Sequence, residues 1–231
     1  MSFLGTSSMV NDSSSSSQLE NYKIVIIGDQ HVGKTSILSR YKYEVVETVY
    51  SPTVGIDFLT KNVFFEDKTI RLIMWDTAGQ ERFKSLIPSY LKNANCIILT
   101  YDISNMETFY SLSKWYTDSK EYVNENTLFV ICGNKIDLKR VITRKEIEDF
   151  SKEKNIPFCA EVSALTGEGI NEMFNGIVKK FCETLNLMAY DNKIEDITIE
   201  NQQDSKSQNF SLKENKNKEE IIVKTKKKKC C

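Results

Sequence analysis

The 231-residue sequence is short of several features, and each shortage removes a class of protein. There is no charge surplus: 31 Lys and Arg stand against 32 Asp and Glu, a net charge of -1. A chain that coats nucleic acid by displacing counterions carries a basic excess, so nucleic acid is not an expected partner. No apolar run approaches the ~20 residues of a membrane-spanning helix. The opening MSFLGTSSMV has neither a basic stretch nor a long apolar one and is not read as a secretory signal. The six cysteines are scattered, which excludes a dense disulfide scaffold and does not match zinc spacing. Cys96, Cys132, Cys159 and Cys182 fall on strand or helix patterns and are read as small core residues, inert because buried. His31 is the one histidine. What remains is a single domain of a reduced compartment, with polar extensions.

Composition shifts twice along the chain. Residues 1–20 contain SSSSSQ and almost no large apolar side chains, too little to offset chain entropy, and are read as a disordered arm. Residues 187–231 are rich in Asn, Gln, Lys and Glu and read as a flexible tail. The folded part is then 21–186, enough for one core. Within it, KIVIIG (23–28), CIILTY (96–101) and LFVICG (128–133) are nearly continuous apolar runs. That pattern suits strands buried on both faces of a parallel sheet. In residues 170–185, apolar side chains recur at Ile170, Phe174, Ile177, Phe181 and Leu185, the spacing of an amphipathic helix. Thr143 and Glu146 form a capping-box pattern. Strands alternating with helices predict an α/β, doubly wound, mostly parallel sheet. NVFFEDKTIRLIMW, with Glu66-Asp67-Lys68 between two β-rich runs, adds one antiparallel hairpin at an edge.

The loops carry the chemistry. KIVII leads into Gly28-Asp29-Gln30-His31-Val32-Gly33-Lys34-Thr35, the phosphate-cradling pattern GxxxxGK[ST]. Its glycines let backbone N–H groups turn to an anion, and the following helix adds its dipole. Lys34 would reach the β- and γ-phosphates, and Thr35 offers a hydroxyl to Mg²⁺. After Trp75 come Asp76-Thr77-Ala78-Gly79-Gln80-Glu81, where Asp76 can hold the metal's water, Gly79 can meet a terminal phosphate and Gln80 can orient an attacking water. In Asn134-Lys135-Ile136-Asp137 the carboxylate can accept two N–H bonds from guanine, whereas adenine would leave it unpaired at a cost of about 1–3 kcal/mol. The plainer reading of that segment is a strand-end turn. Ser163-Ala164-Leu165 could bring a backbone N–H to the guanine carbonyl, though alone it says almost nothing.

In this order and spacing, the four segments closely resemble the Ras-superfamily small GTPases over residues 21–186. Within that superfamily, TVGIDF (53–58), RLIMWDTAGQERF (71–83) and YDISNMETF (101–109) resemble the Rab family. SLIPSY (85–90) is similar to the Golgi-associated Rab branch numbered six. The resemblance implies a P-loop small-GTPase fold, GTP and GDP as ligands, Mg²⁺ as cofactor, and hydrolysis of GTP to GDP and phosphate with Gln80 and Lys34 in catalytic roles. It extends the nucleotide-binding set to Ser36, places Tyr50 over the nucleotide, and has Thr53 close on the γ-phosphate and ligate Mg²⁺ beside Thr35 and Asp76. It makes Phe58, Trp75 and Tyr90 an exposed aromatic triad for effectors; ordinary core packing is the alternative.

Two positions depart from the family. Val46 replaces the usual guanine-stacking Phe, and Leu165 replaces the usual Lys. The base would then sit among Val46, Leu165 and the stem of Lys135, which predicts faster nucleotide exchange unless Tyr43 or Val45 compensates. Loss of an aromatic face is worth on the order of 0.5–1.5 kcal/mol. Gln30 and His31 are bulkier than glycine and can crowd Gln80; His31 itself reads as loop filler rather than a metal ligand. The ending Lys226-Lys227-Lys228-Lys229-Cys230-Cys231 is not a CaaX box. It resembles the Rab ending on which both cysteines are prenylated, and two lipid chains plus a basic run hold where one chain does not. A solvated basic tail or a nuclear signal is the alternative. Such a protein is expected on the cytoplasmic face of the Golgi or another endomembrane, with a cytosolic pool. Its expected partners are an exchange factor, a GTPase-activating protein, effectors, a prenyltransferase with its escort protein, and a dissociation inhibitor. Two rival readings stand: a GTP-dependent docking module with negligible hydrolysis, and a P-loop ATPase or kinase.

Overall fold

The computed structural model describes residues 20–45, 56–65, 68–77 and 87–184. Among these residues six strands form one sheet in the order β2-β3-β1-β4-β5-β6. They are β1 (Glu20–Ile27), β2 (Ile56–Phe65), β3 (Lys68–Thr77), β4 (Cys96–Asp102), β5 (Leu128–Asn134) and β6 (Cys159–Glu161). Only β2 and β3 run antiparallel; every other pair is parallel. This is the α/β, mostly parallel sheet with one antiparallel edge pair that the residue patterns predict. Residues 66 and 67, part of the expected turn, lie outside the described residues.

The three apolar runs become the central strands. All of β4 is buried, as is β5 after Leu128. β1 reaches back to Glu20, beyond the apolar run, because Glu20, Asn21 and Tyr22 pair with Ile70, Arg71 and Leu72 of β3. Ladder hydrogen bonds, not apolar content, set that end of the strand.

Helices cover both faces: α1 (Lys34–Tyr43), α2 (Ile87–Leu91), α3 (Met106–Lys120), α4 (Arg144–Lys154) and α5 (170–184). Side chains alternate along each strand. Val25, Ile27, Ile97, Leu99 and Ile131 join Phe109, Leu112 and Trp115 of α3 and Ile147 of α4 in one core. On the other side Tyr41 of α1 stacks on Phe174 of α5, with ring centroids 3.8 Å apart and planes inclined by 10°. The Thr143–Glu146 capping box is present at α4: Glu146 N–H donates to Thr143 Oγ1 at 3.2 Å, and Thr143 N–H to Glu146 Oε2 at 2.8 Å.

The chain divides into two units, Met1–Val178 and Lys179–Cys231. The sheet lies in the first. Of the second, residues 179–184 are described; they are helical and hold a Lys180–Glu183 ion pair at 2.9 Å.

One reading of the cysteines needs correction. Cys96, Cys132 and Cys182 are buried, but Cys159 is exposed. It begins β6, a three-residue strand at the edge of the sheet that pairs with β5. Burial pushes the Cys132 thiol up to about 12.

Candidate functional site

The sheet order reverses at β1, whose neighbours are β3 and β4. Loops at the carboxyl ends of strands flanking such a switch point form a ligand crevice. The four predicted loops all lie at the carboxyl ends of strands: after β1, β3, β5 and β6.

The first loop, from Gly28 to Gly33, is held by backbone approaches that only glycine permits. Gly28 has φ 146°, and a Cβ there would lie 2.2 Å from Thr100 O. Gly33 has φ 94°, and a Cβ there would lie 2.3 Å from Asn134 Nδ2. Gly33 is also the N-cap of α1 and supplies no side-chain cap. The N–H groups of Lys34, Thr35 and Ser36 precede the first intrahelical bond, Ile37 N–H to Gly33 O at 2.9 Å. They lie in the first turn of the helix, where N–H groups have no intrahelical acceptor and an anion is favoured.

Lys34 is buried, and its ammonium spans the loop, donating to Gly28 O at 3.0 Å and Asp29 O at 2.7 Å. Burial lowers its pKa to about 8, against the raising effect of the Asp76 and Asp29 charges. Asp29 is tied to α3: Trp115 Nε1–H donates to Asp29 Oδ1 at 2.7 Å. Val32 is buried and its carbonyl accepts from Asn134. Gln30 is half-buried, and His31 is exposed with a left-handed φ of 62°.

At the end of β3, Asp76 is buried and accepts from Thr35 Oγ1–H at 2.6 Å. Thr77 Oγ1–H donates to Ile26 O at 2.7 Å and ties this loop to β1. A hydroxyl and a carboxylate oxygen in contact, beside a phosphate-cradling helix start, are hard donors that fit Mg²⁺ better than a softer metal. Gly79, Gln80, Tyr50, Thr53 and Val46 lie outside the described residues, as do Cys230 and Cys231.

Asn134 joins the two ends of the crevice. Its Nδ2–H donates to Val32 O at 2.8 Å, and its Oδ1 accepts from Ala164 N–H at 3.0 Å. Ser163 Oγ–H donates to Asp137 Oδ1 and its oxygen accepts from Thr166 N–H at 3.0 Å. Asn134, Asp137, Ser163 and Ala164 are therefore one network, tied to the phosphate loop through a single amide. Leu165 is 62% exposed, and Tyr43 and Val45 are 58% and 60% exposed.

Three positioning residues escape sequence reasoning. Asp102, at the end of β4, accepts from Lys135 Nζ at 2.6 Å. Burial would raise its pKa, but the hydrogen bonds from Lys135 and Ser104 outweigh that and hold it below the ordinary carboxylate value. Trp115 could have been suspected, since a buried indole N–H needs an acceptor. Arg40 contacts Ala164 from a distance of 124 residues, and no local signal marks it.

The aromatic triad needs correction. Phe58 is 61% exposed and Trp75 half-buried, but Tyr90 is only 7% exposed. Phe58 and Trp75 are register partners across β2 and β3, with centroids 6.1 Å apart, and Trp75 lies 6.4 Å from Tyr90. Tyr90 turns inward from α2 onto Trp75. The three form a row that runs from exposed to buried rather than an exposed face.

The architecture is thus a glycine-held loop at a helix start, an oxygen pair suited to Mg²⁺, and a polar network linked by Asn134. A family model described as Ras family matches residues 23–183, well over half the chain. The chain belongs to the Ras family, and is a small GTP-binding switch of the GTPase type.

Proposed function

We propose that the chain is a Rab-type GTPase, a two-state switch of membrane traffic at the Golgi. The observation that carries the Rab reading is the Phe58–Trp75–Tyr90 row, which crosses β2, β3 and α2 within the stretches most like that family. The double-cysteine ending and its lysine run support a prenylated, peripheral attachment to the cytoplasmic leaflet. The Golgi assignment rests on SLIPSY alone.

In this reading guanine lies against Asn134, Asp137, Ser163 and Ala164, with Leu165 and Val46 as aliphatic walls. The phosphates lie over the Gly28–Ser36 cradle. Lys34 gives up its backbone acceptors for phosphate oxygens. Thr35 and Asp76, with Thr53, would hold Mg²⁺, which offsets phosphate charge when bound. Gln80 orients water for attack on the γ-phosphate, and Lys34 stabilises the charge that develops. Tyr50, Thr53 and Gly79 respond to the γ-phosphate, so hydrolysis releases the segments that carry them. Exchange and activating proteins set the rates. An escort protein, prenyltransferase and dissociation inhibitor serve the lipidated tail, and effectors read the aromatic row.

Imaging a tagged chain beside organelle markers tests the placement. The full chain should mark Golgi membranes, and the chain lacking Cys230 and Cys231 should be cytosolic. Identical patterns for the two chains would reject the anchor, and a steady signal on another compartment would reject the Golgi. Single-turnover phosphate release with GTP separates a hydrolysing switch from a docking module.

A further inference from the structure

α1 carries Lys34 and Thr35 at its start, on the phosphate side of the crevice. Arg40, in its last turn, reaches the opposite end. Its Nε–H donates to Ala164 O at 2.9 Å, one Nη–H donates to Leu165 O, and the other to Glu44 O at 2.7 Å. One guanidinium thus gathers three backbone carbonyls from two separate segments. All three acceptors are neutral carbonyls, and among the described residues no carboxylate pairs with this guanidinium. Gly167 lies against the stem of the same side chain: a Cβ there would be 3.6 Å from Arg40 Cδ. The loop from Ala164 to Gly167 is folded around this arginine.

The orientation matters chemically. A trans peptide points its C=O and N–H in opposite directions. With the carbonyl of Ala164 turned to Arg40, the N–H of Leu165 points away from it. The Ala164 N–H meets Asn134 Oδ1 on the network side. The positive charge therefore sits on one side of the loop, and the N–H of Leu165 points to the other. The same guanidinium closes α1. Glu44 sits at a left-handed φ of 61°, donates its N–H to Arg40 O at 2.9 Å, and returns its own carbonyl to Arg40. A non-glycine residue is strained in that region, so the Arg40 contacts offset the cost of this exit from the helix.

We propose that Arg40 is a positioning residue for the guanine end of the site. It fixes the Ala164–Leu165 backbone against the 6-oxygen of the base and clamps that loop to α1, the helix that bears the phosphate contacts. It sets how long nucleotide stays bound and how strongly the 6-oxygen counts. The inference rests on the guanine-nucleotide reading above and deepens it.

Arg40→Ala and Arg40→Lys test it, with GDP and with 2-aminopurine riboside diphosphate, which keeps the phosphates and the exocyclic amine but lacks the 6-oxygen and with it the N1 hydrogen that faces Asp137 in both variants alike. The wild-type chain should release GDP more slowly than the analogue; no difference there would overturn the guanine reading itself. Arg40→Ala should speed GDP release on the order of tenfold or more, as expected for lost charged hydrogen bonds, while analogue release rises much less. Arg40→Lys keeps the charge but not the fork, and should fall between. Equal acceleration for both nucleotides would mark a merely structural arginine and overturn the proposal, as would unchanged GDP release. If Arg40→Ala does not fold, the Arg40→Lys comparison between the two nucleotides decides on the same terms.

Discussion

At the residue scale, the loops proposed to meet phosphate and base depend on side chains outside the motifs. Trp115 holds the Asp29 carboxylate through one indole N–H. Trp115→Phe keeps the ring and removes that donor. It should weaken GDP binding on the order of tenfold, seen by calorimetric titration, while guanosine, which has no phosphates, binds as before. Asp102 holds Lys135 in the same indirect way. Its carboxyl sits below the ordinary value of 3.8 because hydrogen bonds from Lys135 and Ser104 exceed the effect of burial. A depressed folded pKa means that the pair stabilises the fold above the unfolded value and is lost as pH falls through the folded one. Thermal melts of wild type and Asp102→Asn should therefore be separated at neutral pH. The gap should close only on acidification below the usual carboxylate range; a gap that stays constant would remove the pair from the stability balance. Lys34 and the Asn134 network sit on motif residues and were legible in the sequence. Asp102, Trp115 and Arg40 were not, because each acts across the sheet on a loop that only folding brings near.

At the scale of elements, strands were easier to read than their ends. The central strands follow apolar runs, since both faces are covered. The first residues of β1 and the short β6 depend on their neighbours' ladders, which leave no compositional mark. Tyr90 shows the same limit from the other side. Its place within a motif says which surface it belongs to, but the turn of α2 decides how much of it faces water. Local capping is more legible because donor and acceptor are three residues apart. Thr143→Ala breaks the α4 box and should cost about 1 kcal/mol, read as a lower melting temperature with nucleotide affinity unchanged. A loss of affinity would mean that α4 is coupled to the crevice.

At the scale of the whole molecule, the proposed function puts phosphates, metal and base in one crevice at the reversal of strand order. Asn134 is the hinge pin of that arrangement, with the phosphate loop on its amide nitrogen and the Ala164 backbone on its oxygen. Distinguishing guanine from adenine should follow from Asp137, which the network holds at the base end through Ser163. The most direct measurement is competition of GTP and ATP for purified protein with Mg²⁺, repeated with Asp137→Asn. Wild type should prefer GTP on the order of a thousandfold or more, as expected where a site is built around a substrate's own N–H groups, and Asp137→Asn should lose most of that preference. Equal binding of the two nucleotides, or a preference untouched by Asp137→Asn, would contradict a guanine-specific switch.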